Sequence, residues 1–199
     1  DETKAELDAS GVADSHGQLI RIEAENVNKT SSQMLYPQQD QGSPAIYPSS
    51  AKALKNNSIG GNSWRLIGQW LEYEFEVQEE GYYHIALYAK QNFSRGTYVS
   101  RKIYLDGQVP FQELNNYGFS YEQNWREDVL SDKEGEPYKI YLTKGTHTLR
   151  MEAVLGDFSQ VISEVQESVT ALNSIYRKVI RITGVAPDVY RDYQIETSL

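Results

Sequence analysis

Hydrophobic and polar positions alternate in a series of short runs through the first three quarters of the chain. In Trp70 to Val77, the residues Leu71, Tyr73, Phe75 and Val77 fall on one side and Glu72, Glu74 and Glu76 on the other. That period of two is the mark of a half-buried strand. Leu19 to Glu25 reads as the chain's first strand. After the turn Glu79-Glu80-Gly81, inward positions at Tyr83, Ile85, Leu87 and Ala89 predict the next limb of a hairpin-like meander. Tyr98 to Leu105 predicts a further strand, closed by Asp106-Gly107, a dipeptide that accepts the positive φ angles of a tight hairpin turn. Phe111 to Leu114 supplies its return. Alternation resumes at Tyr138 to Leu142 and, past the turn at Lys144-Gly145, at His147 to Leu155. Many short strands separated by turn signals predict an all-β fold, an antiparallel β-sandwich.

The period changes after Gly156. Phe158, Val161, Val165, Val169, Leu172, Tyr176 and Val179 recur every three or four residues, which predicts an amphipathic helix of about 20 residues. Asp157 or Ser159 is placed to cap its start, Gly184 and Pro187 to stop it, and Val185 to Leu199 reads as an extended exit. The domain reading is a polar leader over residues 1–17, a β-sandwich over 18–157, and a C-terminal helix and connector over 158–199, with a further domain expected after Leu199. Two long irregular stretches, Asn26 to Gly61 and Asn115 to Glu136, interrupt the strands and hold most of the aromatic residues outside them. Loops of that length in a compact domain are usually functional.

Charge and composition narrow the partners. A net charge of −9 argues against nucleic acid or an anionic membrane surface as ligand, because both repel an acidic protein. The absence of cysteine removes disulfides and thiolate metal sites, leaving oxygen ligands for any ion. No run approaches the roughly 18 to 20 apolar residues that cross a bilayer, so no membrane insertion is expected. Tyrosine dominates the aromatics, 15 against 5 phenylalanines and 3 tryptophans, giving many rings with a hydrogen-bonding tip.

Candidate chemistry is sparse. Glu23 and Glu25, one residue apart on the expected first strand, point to one side, where they either hold a hard cation or form a solvated edge. Trp125 lies in a polar stretch, where a large ring either meets a ligand or plugs the core. Trp64 is open to the same two readings, whereas Trp70 reads as structural. The Glu72, Glu74 and Glu76 stripe is a solvated face; neighbours on one strand do not oppose each other across a glycosidic bond. His84 and His147 have no nucleophile motif beside them.

Three motifs, in order, carry a family resemblance. Ile22-Glu23-Ala24-Glu25-Asn26, Gly68-Gln69-Trp70-Leu71-Glu72-Tyr73 and Leu142-Thr143-Lys144-Gly145-Thr146-His147-Thr148-Leu149 resemble segments of carbohydrate-binding modules of families 6, 35 and 36. Those modules are calcium-containing β-jelly-rolls, and the correspondence runs from about Leu19 to Asp157. It implies a calcium ion on Glu23 and Glu25, with Asp157 as a C-terminal ligand. It also implies a sugar stacked on Trp125, with Trp64 or Tyr47 facing it; of the tyrosines Tyr36, Tyr47, Tyr117 and Tyr121, read singly as structural, one or two are expected at the site. The closing segment Gly156-Asp157-Phe158 departs from the family's Asn-x-Asp-Trp-like strand, so no sugar-binding asparagine is assigned. The helix and the exit from Tyr176 to Tyr193 are similar to a connector in extracellular solute-binding lipoproteins of sugar importers.

The expectation is therefore a non-catalytic carbohydrate-binding module with a structural calcium, in an extracellular or cell-surface protein. Two other classes stay open. One is a structural β-sandwich that lacks a sugar site and docks a neighbour through its helix, and the other is a small jelly-roll glycoside hydrolase.

Overall fold

The computed structural model describes residues 18–40, 42 and 56–195. The chain divides into two compact units, residues 1–156 and 157–199. Within the described residues the first unit is built of short antiparallel strands: β1 Lys29–Thr30, β2 Pro37–Gln38, β3 Ser58–Ile59, β4 Trp70–Val77, β5 Gly81–Tyr83 and β6 Ala86–Gln91 come first. They are followed by β7 Tyr98–Leu105, β8 Tyr117–Ser120, β9 Glu122–Val129, β10 Ile140–Leu142 and β11 Gly145–Val154. A five-stranded sheet runs in the order β1-β4-β11-β7-β8, and three two-stranded ribbons pair β10 with β5, β2 with β3 and β6 with β9.

Register explains the burial. Leu71 on β4, Met151 on β11 and Ile103 on β7 lie side by side, as do Tyr73, Leu149 and Leu105. Their common face feeds the core. The larger cluster joins Val77, Ile103 and Leu149 of the sheet to Tyr83, Ile140 and Leu142 of the β5–β10 ribbon, and a smaller one gathers Leu35, Leu71 and Tyr73. The opposite face of the sheet carries Trp70, Glu72, Arg150 and Tyr104. Glu72, expected on a solvated stripe, is only 6% exposed. Arg150 Nε and Nη2 donate to its Oε2 at 2.8 and 2.5 Å, and Lys29 Nζ donates to Oε1 at 3.0 Å. Those two cations hold its carboxyl below the ordinary glutamate range, outweighing the opposing effect of burial.

Several expected elements are rearranged. Leu19 to Glu25 is not a strand. Asn26 N–H donates to Glu23 O at 3.0 Å, closing a turn, and pairing with β4 starts only at Asn28, whose N–H donates to Glu72 O. The meander is absent as well: the run from Gly81 breaks at His84-Ile85 into β5 and β6, which pair with β10 and β9 rather than with β4. Phe111 to Leu114 gives no returning strand, because Pro110 has no N–H to donate and Gln112–Asn115 winds into a 3-10 turn. Strand β8 takes that place beside β7. The Asp106-Gly107 turn forms as expected, with φ of 50° and 78° and reciprocal Leu105–Gln108 backbone bonds.

Most of the described residues of the second unit form an α-helix, α1, Phe158–Thr183, of 26 residues. Asp157 occupies its N-cap position in helical dihedrals and makes no capping bond through its side chain. Gly184, at φ 76°, ends it, its N–H donating to Ile180 O at 2.8 Å. Among the described residues no helix is long and apolar enough to cross a membrane.

Candidate functional site

Trp125 does not sit in a loop. It lies on β9, where the pairing with β6 slips between Ala89 and Gln91, so that residues on β9 outnumber their partners on β6. Such a bulge twists the strand and re-aims its side chains. The half-buried indole belongs to neither core cluster. Tyr88 stacks on it with ring centroids 5.7 Å apart and planes tilted by 14°, and Lys90 Nζ lies 5.1 Å from its centroid. Its Nε1 is buried beside the Asp40 carboxylate and makes no hydrogen bond of ordinary geometry among the described residues.

Beside this aromatic pair, Lys90 forms an ion pair with Asp40. The loop carrying Asp40 is fixed from the β2–β3 ribbon, since Asn57 Oδ1 accepts from Asp40 N at 2.8 Å and Asn57 Nδ2 donates to Asp40 O at 2.9 Å. Gly42 N donates to Asp40 Oδ1 at 2.6 Å. Burial alone pushes the Asp40 carboxyl up. The Lys90 ammonium, the Gly42 amide and a smaller contribution from the Trp125 indole outweigh it and hold the carboxyl below the ordinary aspartate range. The result is a ring surface with a fixed cation and anion at its edge, the combination of apolar platform and few placed polar groups that ligand sites use.

Trp64 has a different setting. It packs against the Leu35, Leu71 and Tyr73 cluster, and its Nε1 donates to Gln69 O at 3.0 Å. The Arg101 guanidinium lies 4.2 Å from its ring centroid, while Arg101 Nη2 donates to Trp64 O at 3.3 Å. Burial lowers the Arg101 pKa to about 10. Tyr121, half-buried just ahead of β9, accepts from Gln123 Nε2 at 3.0 Å. Tyr47 lies outside the described residues. Tyr88 and Lys90 were not expected at a site, and the Asp40 loop was expected only to lend carbonyls to a calcium ion. Tyr88 and Lys90 occupied the outward positions of an alternating run, which was the signal available, and Asp40 is brought to them only by the fold.

Glu23 is paired with Arg21, Oε1 to Nε at 3.0 Å, on the turn that replaces the first strand. Glu25 Oε2 is buried with no hydrogen-bond partner among the described residues. Near it the Tyr73 hydroxyl donates to Ala24 O at 3.0 Å; burial and then the Glu25 charge push that hydroxyl's pKa well up. Asp157 belongs to the second unit. Among the described residues no group of three or more His, Asp or Glu side chains gathers to hold a metal.

His147 and Asp106 form a contact that resembles part of a catalytic triad. His147 Nδ1 lies 2.6 Å from Asp106 Oδ2 and Nε2 lies 2.8 Å from the Thr143 carbonyl, so both ring nitrogens face acceptors. Burial pulls the imidazole pKa down, but Asp106 and the Thr143 carbonyl outweigh it and raise it above the ordinary value. An imidazole donating from both nitrogens is no general base. It clamps the β10–β11 turn to the β7 hairpin.

No protein-family model matches the chain, and no curated protein matches it. Among solved structures, it is similar to a Paenibacillus sp. cycloisomaltooligosaccharide glucanotransferase complexed with cycloisomaltoheptaose, at 19% identity and a TM-score of 0.47 over 71% of this chain. It is also similar to a ruminal GH26 endo-beta-1,4-mannanase, at 16% identity and a TM-score of 0.42 over 72% of this chain. The chain spans 17% and 25% of the lengths of those two proteins. Likenesses this distant carry no argument about activity.

Proposed function

We propose that the β-rich unit is a non-catalytic carbohydrate-binding module of the jelly-roll sandwich type, which takes a saccharide on Trp125. The observation that carries this reading is the Trp125–Tyr88 stack outside both core clusters, with the Lys90–Asp40 pair at its edge. Sugar rings offer apolar C–H faces to an aromatic platform and hydroxyl groups to charged neighbours, and both features are present within one bulged strand pair. The sandwich architecture is supported by a core shared between the five-stranded sheet and the β5–β10 ribbon. Binding rather than hydrolysis is favoured by where the carboxylates are committed: Asp40 is held by Lys90, and Glu72 by Lys29 and Arg150.

A calcium ion at Glu25 belongs to the same reading. Its support is the buried Oε2 that lacks a partner, a cost of about 1 to 3 kcal/mol or more for a charged group that a cation would relieve. Glu23 is already paired with Arg21, so backbone carbonyls would supply most of the remaining ligands, as calcium accepts.

The test is a glycan screen of the full chain followed by titration of the best ligand into Tyr88→Ala and Lys90→Ala variants. Binding that weakens in both variants sustains the reading. A chain that binds no glycan, or whose binding ignores both substitutions, refutes it.

A further inference from the structure

None of the 26 residues of α1 is buried, although the helix carries an apolar stripe along its length. Leu172 is 65% exposed, Tyr176 62% and Val165 56%. A single helix of this length is marginal in water and draws its stability from packing its apolar face. The stripe repeats every seven residues. Val165, Leu172 and Val179 occupy one position of the heptad, and Val161, Ile175 and Ile182 the position four residues before or three after it, a row in which Ser168 is the one polar residue. That is the a and d pattern of helices that wind around one another. Ile162, Val169 and Tyr176 extend it along one flank.

Charge identifies the occupant. The helix is acidic in its first half, at Glu164 and Glu167, and basic in its second, at Arg177, Lys178 and Arg181. We propose that α1 pairs antiparallel with α1 of a second copy of this chain. In the register that sets Val165 against Ile175 of the second copy and Val161 against Val179, Glu164 comes opposite Lys178 twice by symmetry. On the other flank Ile162 meets Tyr176, and Val169 meets its own counterpart. Most of the stripe is thereby covered, with Leu172 over Ser168 of the second copy, and the acidic end of each helix lies along the basic end of the other. A parallel pair would place each block beside its own copy, and like charges at that spacing repel. This association is independent of any sugar site.

Sedimentation equilibrium of the full chain tests it. A concentration-dependent dimer is expected, abolished by Ile175→Glu while melting of the β-rich unit is unchanged. Glu164→Lys alone and Lys178→Glu alone should each weaken the dimer by roughly tenfold or more, as two attractive pairs become repulsive. Mixed in equal amounts, the two variants should regain wild-type association, because each then meets its opposite charge. A chain that stays monomeric up to its solubility limit overturns the proposal. So does a dimer that survives Ile175→Glu, or a pair of charge variants that fail to rescue each other.

Discussion

Replacing Trp125 by alanine separates a binding platform from a core plug, and the surroundings of the ring set the size of both effects. A tryptophan in the core costs about 3 to 5 kcal/mol when truncated. Trp125 is half-buried outside both core clusters, and the contacts it loses are the Tyr88 stack and the Lys90 cation. Those are worth about 0.5 to 1.5 and 0.5 to 1 kcal/mol. The indole N–H also helps hold the Asp40 carboxylate in its ionised form, a smaller contribution that truncation removes. The net loss of stability for Trp125→Ala should be about 1 to 2.5 kcal/mol, and Trp125→Phe, which keeps a ring against Tyr88 and Lys90, should lose less. Sugar binding should fall by about 1 to 3 kcal/mol in Trp125→Ala, or roughly ten- to a hundredfold. Urea unfolding followed by circular dichroism gives the first quantity and calorimetric titration the second. A stability loss above about 3 kcal/mol with unchanged binding would show that the ring belongs to the core after all.

Three further perturbations test the electrostatics. Glu72→Gln should cost about 1 to 2 kcal/mol near neutral pH, less than a fully buried pair because Lys29 and Arg150 reach solvent. The Glu72 carboxyl is depressed in the fold, so its contribution is complete above the ordinary glutamate pKa and lost as pH falls through the lower folded value. The gap to wild type in urea midpoint should therefore close only in strong acid; a pH-independent gap refutes the assignment. For His147 the sign reverses. Its raised pKa means that the Asp106 contact stabilises fully below about 6.5 and fades as pH rises through the folded value, so Asp106→Asn should cost about 1 kcal/mol at pH 6 and less at pH 9 by the same assay. Chelation of calcium should lower the melting temperature of the wild type and leave Glu25→Gln unaffected, whereas equal melting with and without chelator counts against an ion there.

Local pattern was legible wherever a segment buries one face. Period two located β4 and β7 to the residue, because Leu71, Tyr73 and Val77 on one and Ile103 on the other must all be buried on one face of the sheet. Period near 3.6 located α1 and its stop at Gly184. Partners were not legible. Whether the run from Gly81 pairs with β4 or with β10 and β9 depends on residues some 30 to 60 positions away, and alternation reads the same either way. Strand β9 was hidden for a related reason: Glu122, Gln123, Asn124, Arg126 and Glu127 give it no apolar side, so its pairing with β6 rather than its own composition makes it a strand. The sequence by itself determined which residues are amphipathic and where the chain turns, since those follow from side-chain solvation and backbone dihedrals over a few residues. Only the tertiary structure decided that Glu23 and Glu25 lie on a turn, that Glu72 is buried between two cations, and that Asp40, Lys90, Tyr88 and Trp125 meet, because each depends on pairing between segments that are remote in the chain.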